Sequence, residues 1–161
     1  MFTATTPEEM PDLETTLSMS GLEFMQAMQD GRISRPPISA LMGYSLEAVE
    51  KGRVTFRGKP EFQHSNPAGG VHGGWYGTLL DSCMSCAVMT MTPKGSVYTT
   101  LEYKVNLVGA IPLGSEILAT GVIEHAGRST GVARGEIRDA VTGKLYATGS
   151  TTCLIMKLRG D

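Results

Sequence analysis

Charge and aromatic character are both scarce in this sequence: charged residues make up 19% and aromatic residues 6%, with a single tryptophan. Basic residues do not outnumber acidic ones. Fourteen Lys and Arg stand against 16 Asp and Glu, for a net charge of −2. No basic stripe of the kind phosphate backbones require is present, which disfavours nucleic acid as a partner. Cysteine is rare as well. Cys83, Cys86 and Cys153 are odd in number, so no closed disulfide framework forms within one chain and reduced thiols are expected. Cys83 and Cys86 have the C-x-x-C spacing of zinc sites and thioredoxin-type redox pairs. Yet no second pair of Cys or His stands at ligand spacing, and the pair lies deep inside a predicted helix rather than at its N-terminus. Two small buried side chains one helical turn apart are expected, with no metal and no cofactor. A secretion signal is missing too, since residues 1–12 read acidic and proline-punctuated. The longest weakly charged run, residues 62–93, is interrupted by Pro67, by paired glycines and by Asp81, which excludes an ordinary membrane span. These absences point to a soluble cytoplasmic protein with no nucleic acid and no membrane among its partners.

What the chain does have is apolar material. Hydrophobic residues account for 41% of 161, enough for a single core and too few residues for two independent ones. Residues 1–18 show no sustained period and read as a flexible N-terminal arm. At Ser20 a hydroxyl followed three residues later by Glu23 forms a capping box, and Leu22, Met25 and Met28 recur at helical spacing. Residues 19–42 are therefore expected to be a helical extension that ends in the linker of Ser34 to Pro37. From Gly43 the period drops to two. Tyr44, Leu46 and Ala48, then Val54 and Phe56, flank Glu50-Lys51-Gly52-Arg53 as a hairpin. A Gly-rich loop from Gln63 to Gly74 leads into a nearly uncharged helix from Trp75 to Thr92, stopped by Pro93. Four alternating runs follow, at 97–108, 116–124, 131–139 and 144–156. A strand pair, one long helix and four strands without intervening helices imply an α+β domain over residues 43–157, an antiparallel sheet with the helix on one face.

Between Glu61 and Lys94 the only formally charged side chain is Asp81, in the middle of that helix. An unpaired carboxylate in apolar surroundings costs several kcal/mol or is neutralised by a raised pKa, so folding alone gives no reason to place it there. Gly73, Gly77 and Asp81 recur every four residues and share a helix face, where two glycines leave room for a ligand beside the carboxylate or let the helix start against a close-packed sheet. Gly73 also falls at the helix N-terminus, where unpaired N–H groups favour a developing oxyanion. Asn66 and His72, on the entry loop, either donate to a carbonyl or hold the loop.

Asn66-Pro-Ala-Gly-Gly-Val-His72-Gly73-Gly74, Thr78-Leu-Leu-Asp81, Tyr98-Thr-Thr100-Leu-Glu-Tyr-Lys-Val105-Asn, Gly127-Arg128 and Gly143-Lys-Leu-Tyr-Ala147-Thr-Gly occur in order. Together they resemble the hotdog-fold acyl-CoA thioesterases of the phenylacetate-degradation (PaaI-like, 4HBT-type) family, over roughly residues 40–157. The resemblance implies a long central helix wrapped by a curved antiparallel sheet, and a homodimer or dimer of dimers (homotetramer) with sites at the dimer interface. It implies hydrolysis of acyl-CoA with Asp81 as general base or nucleophile and the Gly73 N–H polarising the thioester carbonyl. Asn66 is implied near the thioester from the opposite chain, with His72 and Gly74 beside it. Thr100 matches a hydroxyl that orients water, and Tyr98 accompanies it in that motif. Arg128, Ser129 and Thr130 fall where relatives pass the pantetheine and nucleotide of CoA. Strand parity groups Val97, Thr99, Leu101, Tyr103 and Val105, which turns Thr100 away from that face unless a bulge intervenes. Two other activities stay in view: a hotdog-fold enoyl-CoA hydratase or dehydratase, and a non-catalytic acyl-CoA-binding module.

Overall fold

The computed structural model describes residues 2–158. Its helices are α1 (Leu13–Leu17), α2 (Gly21–Gln29), α3 (Pro37–Leu41) and α4 (Gly73–Met89), and its strands β1 (Tyr44–Glu50), β2 (Arg53–Gly58), β3 (Ser96–Leu107), β4 (Ile117–Ala126), β5 (Thr130–Asp139) and β6 (Leu145–Lys157). The strands form one six-stranded antiparallel sheet in the order β1-β2-β4-β5-β6-β3, wrapped around α4. This is the hotdog arrangement, and the hairpin, long helix and four late strands fall where the sequence pattern puts them. Among the described residues no helix is long and apolar enough to cross a membrane.

Two segments differ in detail from the sequence pattern. Residues 2–18 of the arm carry a 3-10 turn at Pro7–Glu9 and α1, whose Asp12 accepts from the Thr15 N–H. Each is too short to show a helical period. The Ser34–Pro37 linker opens into α3 because Pro36 and Pro37 stand at the N-cap and first helical positions, where proline gives up no hydrogen bond. The capping box at Ser20 is present, with the Glu23 carboxylate accepting from the Ser20 N–H at 2.7 Å.

The core is α4 pressed into the concave face of the sheet. Trp75, Leu79, Leu80, Cys83, Met84 and Val88 are fully buried against Val54, Ile117, Ala119, Ile137 and Ala147. What lets the helix come so close is a row of glycines across three neighbouring strands: Gly121 of β4 pairs with Gly135 of β5, which pairs with Gly149 of β6. A Cβ on Gly121 would stand 2.1 Å from the Cys83 carbonyl oxygen, and one on Gly135 would meet the Met84 Cγ at 2.6 Å. The extension is seated the same way, since a Cβ on Gly21 would lie 1.8 Å from the Met89 carbonyl oxygen at the end of α4.

The two central glycines differ in what opposes them. At Gly121 the obstacle is helix backbone, which cannot yield without moving α4, whereas at Gly135 it is a flexible methionine. Gly121→Ala should therefore destabilise by about 1–3 kcal/mol or more in urea unfolding, with a smaller loss for Gly135→Ala, where side chains rather than helix backbone have to shift. Equal losses at the two positions would contradict the helix-against-backbone contact.

Candidate active site

The site is built from the loop before α4, the first half of α4, and β3. Ser65 and Val71 bridge the base of the loop. Inside it the Asn66 Oδ1 accepts from the Ala68 N–H at 2.9 Å and the Gly70 N–H at 3.2 Å, while Nδ2 lies a long 3.5 Å from the Val71 carbonyl. Asn66 thus folds the loop onto itself, as Asx side chains do in turns. His72 is the N-cap of α4, its Nδ1 accepting from the Gly74 N–H at 2.9 Å, which puts the proton of the neutral ring on Nε2. With Gly74 engaged and the Trp75 N–H donating to the His72 carbonyl, the Gly73 N–H is left without an acceptor among the described residues. It stands at the positive end of a 17-residue helix.

Asp81 lies on α4 eight residues beyond Gly73, half-buried. Its Oδ1 accepts from the Thr100 hydroxyl of β3 at 3.0 Å. Burial raises the Asp81 carboxyl above the usual carboxylate range, and the Thr100 hydrogen bond pulls it partly back. The parity problem at Thr100 is resolved by a bulge: the β3–β6 register shifts between Thr100 and Glu102, so two residues of β3 oppose one step of β6. Before the bulge Tyr98 and Thr100 face α4; after it Tyr103, Val105 and Leu107 do, and Leu101 is turned outward, 57% exposed. The grouping of Val97 and Thr99 with Tyr103 and Val105 is therefore corrected, because an uninterrupted period of two does not run through this strand.

The bulge also changes what the helix glycines are for. Gly77 and Gly73 do not floor an open groove within one chain. The Tyr103 hydroxyl lies 3.4 Å from where a Gly77 Cβ would be, and a Leu107 methyl lies 3.4 Å from that of Gly73.

Other expected residues fall elsewhere. Tyr98 lines an apolar cavity, and burial pushes its phenol well above the ordinary value. Arg128 and Ser129 form the exposed β4–β5 turn with Thr130 at its exit. The Ile155 N–H donates to the Ser129 carbonyl, and Ile155 pairs with Tyr98, so this turn lies on the register row that reaches β3 two strands away. Gly127-Arg-Ser129-Thr-Gly131 has the G-x-S-x-G spacing of a nucleophile elbow. Here it joins two antiparallel strands rather than a strand and a helix, and the Ser129 hydroxyl has no hydrogen bond to a histidine among the described residues. The C-x-x-C pair is inert in place: burial raises the Cys83 thiol and pushes Cys86 up to about 12, so neither is poised as a thiolate.

Residues 68–146 match the thioesterase superfamily model. Among named relatives, the chain is 33% identical over 94 residues to mouse acyl-coenzyme A thioesterase 13, covering 58% of this chain and 66% of the relative. With the human protein of that name it is 25% identical over 138 residues, 86% of this chain and 96% of the relative. Its fold is similar to that of a putative thioesterase, a phenylacetic acid degradation-related protein from Ralstonia eutropha. That likeness has a TM-score of 0.74 and 25% identity, and covers 81% of this chain and 98% of the other.

A carboxyl whose pKa is raised by folding has a definite pH signature. In strong acid it is protonated in both states and costs nothing. As pH rises through the unfolded value of about 4, the unfolded chain ionises first, and stability is lost until the native carboxyl ionises at its raised pKa. Asp81→Asn, which can still accept from Thr100, should therefore melt higher than the parent at pH 7, and the gain should vanish below about pH 4. A lower melting temperature for the variant at pH 7 would show that the carboxylate holds the fold together instead.

Proposed function

The chain carries a thioesterase-superfamily domain on a hotdog fold, and from that premise we propose that it hydrolyses acyl-CoA thioesters to the free acid and CoA at sites shared between two copies of the chain. The observation that carries this reading is Asp81, a half-buried carboxylate with one oxygen held by Thr100 and the other free of protein partners among the described residues. In the proposed reaction the free oxygen takes a proton from water as the water oxygen attacks the thioester carbonyl carbon. The oxyanion develops toward a Gly73 N–H, the intermediate collapses with cleavage of the C–S bond, and the proton returns from Asp81 to the departing CoA thiolate. Thr100 positions the carboxylate, His72 caps the helix so that its first N–H stays free, and Asn66 shapes the loop that precedes it. Gly74 supplies backbone against the substrate, and Arg128, Ser129 and Thr130 flank the nucleotide end of CoA, where a guanidinium suits phosphate. Direct attack by Asp81 through an anhydride is the other route. A single turnover in oxygen-18 water tests for it: water attack on the thioester puts the label in the product acid, whereas an anhydride opened at the Asp81 carbonyl leaves the label on Asp81.

Sharing follows from distance. Eight helical residues separate the Gly73 N–H from Asp81 by roughly 12 Å along the axis, too far for both to act on one carbonyl. The second copy must supply one of them. β3 supports the pairing: among the described residues it is a strand hydrogen-bonded only to β6, its outward-turned Leu101 is 57% exposed, and Tyr103 and Leu107, on the face toward α4, remain 46% and 52% exposed. A homodimer, or two such dimers as a homotetramer, covers that edge. Residues 43–157 form the domain that does this chemistry and 19–42 the extension attached to it, and the three unpaired cysteines suit the cytoplasm. A hydratase reading finds no histidine beside Asp81, since His72 is occupied as a cap, His64 is buried against the Leu41 carbonyl, and His125 is exposed near the end of β4.

Shared sites are tested by mixing lesions. His72 has φ −64° and ψ 137°, the conformation that precedes proline comfortably, so Gly73→Pro removes the N–H and leaves the helix start intact. Asp81→Ala should abolish CoA release, and Gly73→Pro should lower it about 10²–10³-fold. Heterodimers of the two variants should regain activity, because one of their two sites has both groups intact. Mixed dimers as inactive as their parents would place Asp81 and Gly73 in the same chain's site, and wild-type protein that releases no CoA from any acyl-CoA would refute hydrolysis itself.

A further inference from the structure

One apolar cavity remains outside the site as described. It has a volume of about 260 Å³ and lies between α4, the β1–β2 hairpin, β3 and the N-terminal extension. Its walls include Phe56 and Cys86 of the domain and Phe24, Met25 and Met28 of α2. The principal polar pair inside is self-satisfied, the Tyr44 hydroxyl and the Ser82 hydroxyl lying 2.9 Å apart. Nothing in it asks for a charged ligand except at its margin, where Arg35 donates to the Thr3 hydroxyl.

The cavity is lined by neighbours of the carboxylate and of its hydroxyl partner. Ser82, in its wall, directly follows Asp81 on α4, and Tyr98, also in its wall, shares with Thr100 the face of β3 that looks onto the helix. Two separate elements thus run from the Asp81–Thr100 pair into the same apolar space. The α2 wall is held in place: the Gly21 N–H donates to the Thr92 carbonyl at 3.0 Å, the capping box fixes the helix start, and the close approach at Gly21 seats it on the end of α4. The α2 residues lie outside the stretch that matches the superfamily model.

We propose that this cavity receives the acyl group of the substrate and that α2, through Met25 and Met28, forms the wall that limits its length. The proposal rests on the thioesterase reading above and names its substrate class as uncharged medium-chain acyl-CoA. An apolar cavity of roughly 150 Å³ holds the six carbons of benzene, so by proportion this one holds a chain of roughly ten carbons. The methionines suit such an occupant, since an unbranched thioether adapts to a chain of variable conformation.

The experiment measures kcat/KM for linear acyl-CoAs from acetyl to dodecanoyl, with wild-type protein and with Met28→Trp, which fills the cavity from the α2 side. In the wild type, specificity should climb about fourfold per methylene through the middle of the series and flatten near ten carbons. In Met28→Trp the decanoyl-to-acetyl ratio should fall at least tenfold. Met28→Phe, a smaller insertion, should give an intermediate ratio and serves if the tryptophan variant does not fold. A second readout needs no turnover: Asp81→Ala protein should bind decanoyl-CoA at least tenfold tighter than acetyl-CoA by calorimetry, and the difference should disappear when Met28→Trp is added. A ratio unchanged by both Met28 substitutions, or wild-type preference for acetyl over decanoyl, overturns the pocket while leaving hydrolysis standing. Failure to release CoA from every substrate, with the chain-length dependence of binding intact, overturns hydrolysis and leaves the pocket.

Discussion

A carboxylate withdrawn halfway from water is a standing cost, and at Asp81 one hydroxyl is what offsets it. Burial between α4 and the sheet raises the proton affinity of the group, and the Thr100 hydrogen bond at 3.0 Å lowers it again. That single contact requires Thr100 to face the helix, and a bulge at the next step of β3 then lets Tyr103 face it too. The bulge then decides the rest of the strand: Tyr103 and Leu107 come to lie on Gly77 and Gly73, and Leu101 is pushed to the outer face. Removing the extra residue would turn every later side chain of β3 to the other side of the sheet.

Much of this was visible in the amino-acid order, and the parts that were not share a cause. The solitary charge at Asp81, the entry glycines and the alternating runs are local patterns, and each has its counterpart in α4 and the sheet. The capping box of Ser20 and Glu23 stands as written. Hidden were features that depend on which residues become neighbours across the sheet. Gly121, Gly135 and Gly149 lie far apart in the chain and read singly as weak spots in strands. Only the register makes them one row that admits the helix. The bulge at Leu101 has no glycine or proline to announce it. Arg128, Ser129 and Thr130 read as a turn but reveal nothing of the strands between them and β3.

The separation of Gly73 and Asp81 along one helix gives oligomerisation a chemical purpose in this account. A helix N-terminus favours a developing negative charge, and a base must stand clear of it to stay reactive; two turns of α4 keep them apart within a chain. In the proposed dimer, a twofold axis along the β3 edge would bring one chain's helix start to the other chain's carboxylate. The extension belongs to the same economy of parts. It is seated on the far end of α4 by Gly21 and walls an apolar cavity lined also by Ser82, next to Asp81, so in the proposed reaction α4 would link the base, the helix entry and the acyl wall.

The central claim is that Asp81 is the reacting carboxylate and that the Thr100 hydroxyl sets its proton affinity. The acid limb of the pH profile of kcat/KM reports that affinity in the free enzyme. With Thr100→Val the hydrogen bond that favours the ionised carboxylate is lost, and the limb should move to higher pH, while Thr100→Ser, which keeps the hydroxyl, should leave it near the wild-type position. An acid limb that stays in place when the hydroxyl is removed would contradict the account.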